Sequence, residues 1–263
     1  MLNRIASVIR AAGSHLTESR SPSRDGQESS RRAGDVLVRN TEGGWQAVKL
    51  LAVDKCPEGN QLAHCLCYAP LDNKPSAEGL QYAEVESRHT IMDVETFDTG
   101  WEKLAHVAPN QNELVGFAEY LKQTDFPRYI TITGQNAREI VHQANDHYKR
   151  ARQLVDEAKP FEAIAEFGKA IELFPLFYEA LDHRGHTQMT LGNHRAALDD
   201  FVLSLWVHPN GMVALLAKGD CLMALGDHAA AEAIFQEGRV RFPEHRPTFT
   251  ERRDQAHARS KQA

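Results

Sequence analysis

Two short stretches bring together side chains that could bind a metal ion, and "AHCLCY" is the first. It places His64, Cys65 and Cys67 within four positions of one another, and Cys56 lies upstream. Structural zinc sites usually take their ligands from two separated pairs, and no second pair follows here. Strand alternation also sends His64 to the face opposite both cysteines. We therefore predict that the two thiols pack in a core as small apolar side chains and that no metal is bound.

The second candidate is "DHRGH", which puts His183 and His186 three residues apart on a predicted helix, next to Asp182. A helical zinc-protease motif needs histidines four apart with an adjoining Glu, and that arrangement is absent. The sequence also lacks a glycine-rich phosphate loop, a Gly-x-Ser-x-Gly turn and a Cys/His pair with a third orienting group. We therefore expect no enzyme activity and no cofactor, and interpret these histidines as surface or groove residues.

Net charge, cysteine content and apolar runs limit the kinds of partner and compartment that we expect for this protein. The 263 residues carry a net charge of −6, although residues 1–33 hold six arginines against three acidic residues. The rest of the chain is therefore acidic, which argues against nucleic-acid binding through phosphate contacts. Four cysteines are too few for a disulfide framework, and no apolar run is long enough to span a membrane. We expect a cytoplasmic protein that binds neither nucleic acid nor membrane.

The N-terminal 34 residues are predicted to be a disordered tail. Residues 14–34 are rich in Ser, Arg, Gly and Glu and have almost nothing apolar to bury. Residues 1–13 carry an apolar stripe of Leu2, Ile5, Val8 and Ile9 at helical spacing. That pattern fits a frayed N-terminal helix and is also typical of an organelle transit peptide, so both interpretations stay open.

Residues 35–135 are predicted to form a small β-rich domain with a connecting helix. "DVLVRNTEGGWQAVKLLAVDK" reads as two strands joined by a turn, "GNQLAHCLCYAP" as a third, and "GLQYAEVESRHTIMDV" as one or two more. Short antiparallel strands of this kind suggest a twisted sheet or an SH3-like barrel. The connecting helix follows Asn110 and Glu113, which have the spacing of a capping box. The predicted fold class is α+β, with a small β domain followed by an all-α half.

The all-α half, residues 136–260, contains an internal repeat. Pro175, Pro209 and Pro243 are 34 residues apart and define three units, 144–177, 178–211 and 212–245. Each proline should end a helix, because it lacks an N–H and clashes with the preceding turn. Small residues recur at two offsets, alanine at a third and phenylalanine at a fourth: Ala151, Gly185 and Gly219; Ala170, Ser204 and Gly238; Ala163, Ala197 and Ala231; and Phe167, Phe201 and Phe235.

This pattern resembles the tetratricopeptide repeat (TPR), whose 34-residue helix–turn–helix units have small, Ala, aromatic and Pro residues at these offsets. His147 and Gln188 depart from the family pattern, which makes the first two units divergent. In the third unit Glu232, Arg239 and Arg241 replace apolar residues of the second helix, which suits the last unit of an array. We predict a capping helix in "PTFTERRDQAHARSK", with Phe249 covering the apolar edge.

The resemblance implies a concave groove that is lined by the first helix of each unit and binds peptide. Basic residues of the kind that clamp a C-terminal carboxylate in some TPR domains are missing from the third unit, where Val213 and Ala217 stand. We therefore expect an internal segment of a partner to bind. Carried over by position, the groove residues are Tyr148, Arg152, Asp182, His186, Met189, Asp220 and Met223, with Val155 and Leu216 equally suited to packing between helices.

The leading hypothesis is a non-enzymatic interaction or scaffold protein that binds another protein or a peptide segment. A second hypothesis assigns function to residues 35–135 as a small binding or immunity-type module, with the repeats as an accessory dimerisation surface. A third treats the β domain as an unrecognised hydrolase to which the repeats recruit substrate. The sequence does not specify the partner or the oligomeric state.

Overall fold

The computed structural model describes residues 31–56 and 59–261. The expectations for a disordered tail and a targeting segment concern residues that lie almost wholly outside this part. The described chain divides into two compact units between Gly134 and Gln135. We call residues 31–134 the β unit and residues 135–261 the solenoid unit. Within the described residues, no helix is long and apolar enough to cross a membrane.

The β unit is built on five antiparallel strands: β1 (Asp35–Thr41), β2 (Gly44–Lys55), β3 (Gln61–Tyr68), β4 (Val85–Asp93) and β5 (Glu102–His106). Their order is β4-β3-β2-β1-β5, so β4 and β5 form opposite edges of an open sheet. Of the two predicted alternatives, an open sheet is therefore observed, and the SH3-like barrel is not confirmed. A barrel has no edges, whereas β5 pairs with β1 here and does not close the sheet onto β4.

Both faces of this sheet are covered. On one face Cys65 lies in a buried cluster with Leu50 and Phe97, and Cys67 packs against that cluster, which confirms the predicted packing of the two thiols. Burial raises the pKa of the Cys65 thiol to about 12, so it stays protonated. Among the described residues, no group of three or more His, Cys, Asp or Glu side chains could hold a metal ion.

Helices α1 (Val115–Thr124) and α2 (Phe126–Thr133) follow the last strand. Gly116 permits the close approach of α1 to β4, because a Cβ at this position would lie 2.7 Å from the backbone oxygen of Arg88. His64 faces this side of the sheet, with its ring centroid 4.7 Å from that of Phe117 on α1. The predicted alternation along β3 is therefore correct.

The predicted capping box precedes α1, and it also contains a buried ion pair. Asn110 Oδ1 accepts hydrogen bonds from the backbone N–H groups of Asn112 and Glu113. The Glu113 carboxylate accepts in return from the Asn110 N–H at 2.8 Å. It also accepts two bonds from Lys49 Nζ, at 2.7 and 2.8 Å. Lys49 belongs to β2 and is only 4% exposed, so this contact joins the sheet to the segment that leads into α1.

The solenoid unit consists of three helix pairs and a final helix. The pairs are α3 (Ala137–Asp156) with α4 (Pro160–Leu173), α5 (Tyr178–Thr190) with α6 (His194–Val207), and α7 (Met212–Ala224) with α8 (His228–Arg241). Pro175, Pro209 and Pro243 each follow the second helix of a pair. The predicted 34-residue period is confirmed. Asn136 caps α3 as expected, since its side chain accepts from the N–H groups of Arg138 and Glu139.

The recurring phenylalanines and small residues hold each pair together. Phe167, Phe201 and Phe235 are fully buried. The glycines make room for these rings, because a Cβ on Gly185 would lie 2.9 Å from the Phe201 ring and one on Gly219 would overlap the ring of Phe235. The sequence pattern therefore reflects the close contact between a small residue of the first helix and a phenylalanine of the second.

The predicted capping helix is α9 (Arg246–Ser260). Its Phe249 is fully buried in a cluster with Phe235 and Phe242 of the last repeat. Glu232, one of the polar replacements in the third repeat, lies 3.1 Å from His257 of α9. This replacement therefore pairs with the cap, while the apolar edge of the repeat packs against Phe249.

Candidate functional site

The seven predicted groove residues all lie on α3, α5 and α7, the first helices of the three pairs. Within each helix they are spaced so that they form one stripe along its surface. Arg152, His186 and Asp220 occupy the same position in successive repeats. These stripes form the candidate site.

Tyr148 contributes mainly to packing. It is only 7% exposed, and its ring centroid lies 4.9 Å from that of Phe177 and 5.6 Å from that of His183. Burial raises the pKa of its phenol, an effect that nearby Arg152 opposes. The aromatic ring therefore joins α3 to the start of the second repeat. The exposed guanidinium of Arg152, one turn along α3, is the more accessible group.

Asp182 and His186 form the centre of the stripes, on α5. Burial raises the pKa of the Asp182 carboxyl and lowers the pKa of the His186 imidazole. Asp182 Oδ1 is buried, and a hydrogen bond from the Ser204 side chain partly offsets the effect of burial on the pKa of the carboxyl. The His186 ring stands edge-on to Phe201, with centroids 5.0 Å apart. These two polar groups are half-buried above the core of the middle repeat. A hydrogen bond from a ligand to a partly buried group contributes more binding free energy than one to a fully exposed group.

Asp220 continues the row on α7. Burial raises the pKa of its carboxyl, and Arg252 of α9 partly offsets this effect. The Arg252 Nε atom lies 3.5 Å from the Asp220 carboxylate. Two acidic groups, Asp182 on α5 and Asp220 on α7, therefore lie between two cations. The cations are Arg152 on α3 and Arg252 on α9.

Met189 and Met223 supply the apolar part of the stripes. Met189 packs against the cluster of Phe201 and Leu198, and Met223 packs against the cluster of Phe235 and Leu215. Both methionines remain partly exposed. Flexible thioether side chains of this kind adapt to differently shaped apolar partners.

Two further residues belong to this candidate site. The sequence predicted His183 only as a surface or groove residue; its ring lies 5.6 Å from that of Tyr148 and 6.0 Å from that of Phe167, and burial together with the charge of Arg152 lowers the pKa of its imidazole. Arg252 lies outside the three repeats. The sequence could have indicated this residue, because Arg252 lies 34 residues after Lys218 and α9 occupies the place that the first helix of a fourth repeat would take.

No protein-family model matches the chain. It is similar to the human protein SGT1 homolog, with 36% identity over 85 residues, which are 32% of this chain and 23% of that protein. It is also similar to the tetratricopeptide repeat and J domain-containing co-chaperone DNJ1 of Cryptococcus neoformans, with 33% identity over 97 residues, 37% of this chain and 17% of that protein. The chain thus matches less than a quarter of the length of these relatives.

Solved structures similar to this chain include two TPR domains. The Arabidopsis OM64 TPR domain has 15% identity and a TM-score of 0.42, and the match covers 45% of this chain and 98% of that one. The yeast Sti1 TPR2B domain, solved as a complex with an Hsp70 peptide, has 16% identity and a TM-score of 0.42, with 46% and 99% covered.

Proposed function

We propose that this tetratricopeptide-repeat protein binds an extended segment of another polypeptide along the stripes of α3, α5 and α7. The observation that carries the proposal is the row of Arg152, His186 and Asp220. These polar side chains recur at one position in three repeats, yet the contacts between small residues and phenylalanines that hold the pairs together do not involve that position.

The chemistry of the row favours a segment with donors at its centre. Asp182 and Asp220 are acidic groups in partly desolvated surroundings, and burial is the main cause of the raised pKa of each carboxyl. Backbone N–H groups or a Lys or Arg side chain of the partner would supply donors, and Met189 and Met223 would contact its apolar side chains. A terminal carboxylate would meet these two anions, so we propose an internal segment.

Photo-crosslinking tests this proposal directly. We expect a benzoylphenylalanine introduced at Met189 or at Met223 to form a covalent adduct with one discrete protein when the full-length chain is irradiated in its host cells. A matched probe at Phe161, whose side chain is 71% exposed on α4, should not capture that protein. Capture of the same protein from Phe161 but not from Met189 or Met223 would contradict the proposal.

A further inference from the structure

A basic cleft lies on the β unit, away from the groove residues and independent of the function proposed for them. Its volume is about 490 Å³, and it is formed by residues 31–33, the end of β2, α1 and α2. Four of its lining side chains carry a positive charge, and none of the described lining side chains is acidic. The cations are Arg31, Arg32, Lys55 and Arg128, of which Arg31 also donates to the Phe97 carbonyl at 2.8 Å and Arg32 lies 4.0 Å from the Asp35 carboxylate. Such a concentration of cations is unexpected in a chain with a net charge of −6.

Arg128 is held in position by a hydrogen-bonded chain of side chains. Its Nη1 atom lies 2.6 Å from Asp54 Oδ2, and its guanidinium lies 5.0 Å from the centroid of the Phe117 ring. The same Asp54 oxygen lies 3.1 Å from Nε2 of His64, which is 3% exposed. Because a carboxylate only accepts, His64 Nε2 is the donor to Asp54, and His64 Nδ1 lies 2.9 Å from His89 Nε2.

These hydrogen-bonded side chains hold Arg128 in position at the cleft without a bound ligand. The hydrogen bond from His64 and the contact with Arg128 lower the pKa of the Asp54 carboxyl to about 2, although burial opposes them. Asp54 therefore stays ionised at neutral pH and keeps its hold on the guanidinium. A preorganised arginine loses little freedom when it binds an anion, and its fork of N–H groups matches carboxylate and phosphate geometry.

Apart from Gln61, the rest of the cleft lining is apolar. Phe117 and Ile132 line it together with aliphatic side chains of β2. A cleft of several hundred cubic ångströms with apolar walls and a few charged groups suits a small organic molecule rather than a lone inorganic ion.

From this geometry we propose that the cleft binds a small organic anion, with an acidic head group at Arg128 and the neighbouring cations and an apolar body against Phe117 and Ile132. A carboxylate and a phosphate monoester share the required chemistry. No covalent step is involved.

The test uses the fluorescent probe 8-anilinonaphthalene-1-sulfonate, an anion with an aromatic body, and the full-length protein. We expect saturable binding that decanoate and decyl phosphate displace, which compares the two head groups, whereas inorganic phosphate at the same concentration does not. The uncharged analogue N-phenyl-1-naphthylamine should bind at least tenfold more weakly. Loss of one charge-assisted contact typically weakens binding about tenfold or more, so Arg31→Ala and Lys55→Glu should each show that loss.

Arg138→Ala removes an exposed arginine of the solenoid unit and is the matched control, which should bind the probe as the wild type does. Lys55→Glu replaces an exposed side chain, so its circular-dichroism melt should stay close to wild type, whereas Arg31→Ala also loses the bond to the Phe97 carbonyl and should melt slightly lower. Wild-type affinity in both cleft variants, or equal affinity for the charged and the uncharged probe, would overturn the proposal.

Discussion

Replacing Phe201 by Ala should lower the free energy of unfolding by about 3–5 kcal/mol, the range for removing a buried aromatic ring. Phe201 is fully buried, and its ring contacts Gly185 of the preceding helix and His186 beside it. The middle repeat has neighbours on both sides, so little can collapse into the cavity. Denaturant unfolding followed by circular dichroism at 222 nm measures the change.

Phe161→Ala is the matched control for this prediction. The same residue type is removed from the same array, but the Phe161 side chain is 71% exposed on α4. Its cost should stay within about 0.5 kcal/mol. If both substitutions cost the same, the repeat phenylalanines do not form the core between paired helices, and the packing described for the solenoid unit is wrong.

Replacing Glu113 by Ala should destabilise the β unit by about 3–5 kcal/mol, the range for breaking a buried ion pair by removing one partner. Lys49 is 4% exposed and donates both of its described side-chain bonds to the Glu113 carboxylate. The variant therefore leaves an ammonium group buried without its counter-ion. It also removes the acceptor for the Asn110 N–H. Glu119→Ala, on the exposed surface of α1, is the matched control.

A double variant separates the charge from the packing. In Lys49→Met/Glu113→Leu both charges are gone and apolar groups of similar size remain, so most of the stability should return. The missing capping contact should leave a deficit of about 1 kcal/mol. A single Glu113→Ala variant with near-wild-type stability, or a double variant no better than the single one, would show that the ion pair does not join the sheet to α1.

The solenoid could be predicted from the sequence because its signal is local and repeated. Three prolines, three phenylalanines and their small partners recur at one period, and each contact forms between neighbouring helices. Phe249 could be assigned to the capping helix because the last repeat has no further neighbour, so another segment must cover its apolar edge.

The order of strands in the β unit could not be predicted in the same way. Strand β5 returns to pair with β1, and Asp35 there accepts a bond from His106, 71 residues along the chain. Bulges also interrupt the register, for example between Leu50 and Ala52. Alternation identifies strands and faces, but it carries no information on which distant strand is a neighbour or whether the sheet closes.

The candidate sites show the same division. The proposed groove residues follow from the repeat. The burial of Tyr148 and the contact of Arg252 with Asp220 do not, because Arg252 lies outside the three repeats. The basic cleft had no sequence signal. Arg31, Lys55 and Arg128 are far apart in the chain and line one cleft only in the folded β unit.

The most direct test of the account is the binding of the crosslinked partner to the triple variant Arg152→Ala/His186→Ala/Asp220→Ala. Truncating groups that contact a partner in a desolvated interface costs about 2–5 kcal/mol, so we expect affinity to fall at least roughly 30-fold. The circular-dichroism melt should fall only slightly, because Arg152 is exposed and His186 and Asp220 are partly exposed, although His186 contacts Phe201 and Asp220 pairs with Arg252. Glu172→Ala/Arg195→Ala, which removes one anion and one cation exposed on α4 and α6, should bind normally. A triple variant that binds the partner at wild-type strength would contradict the claim that the groove is the binding site.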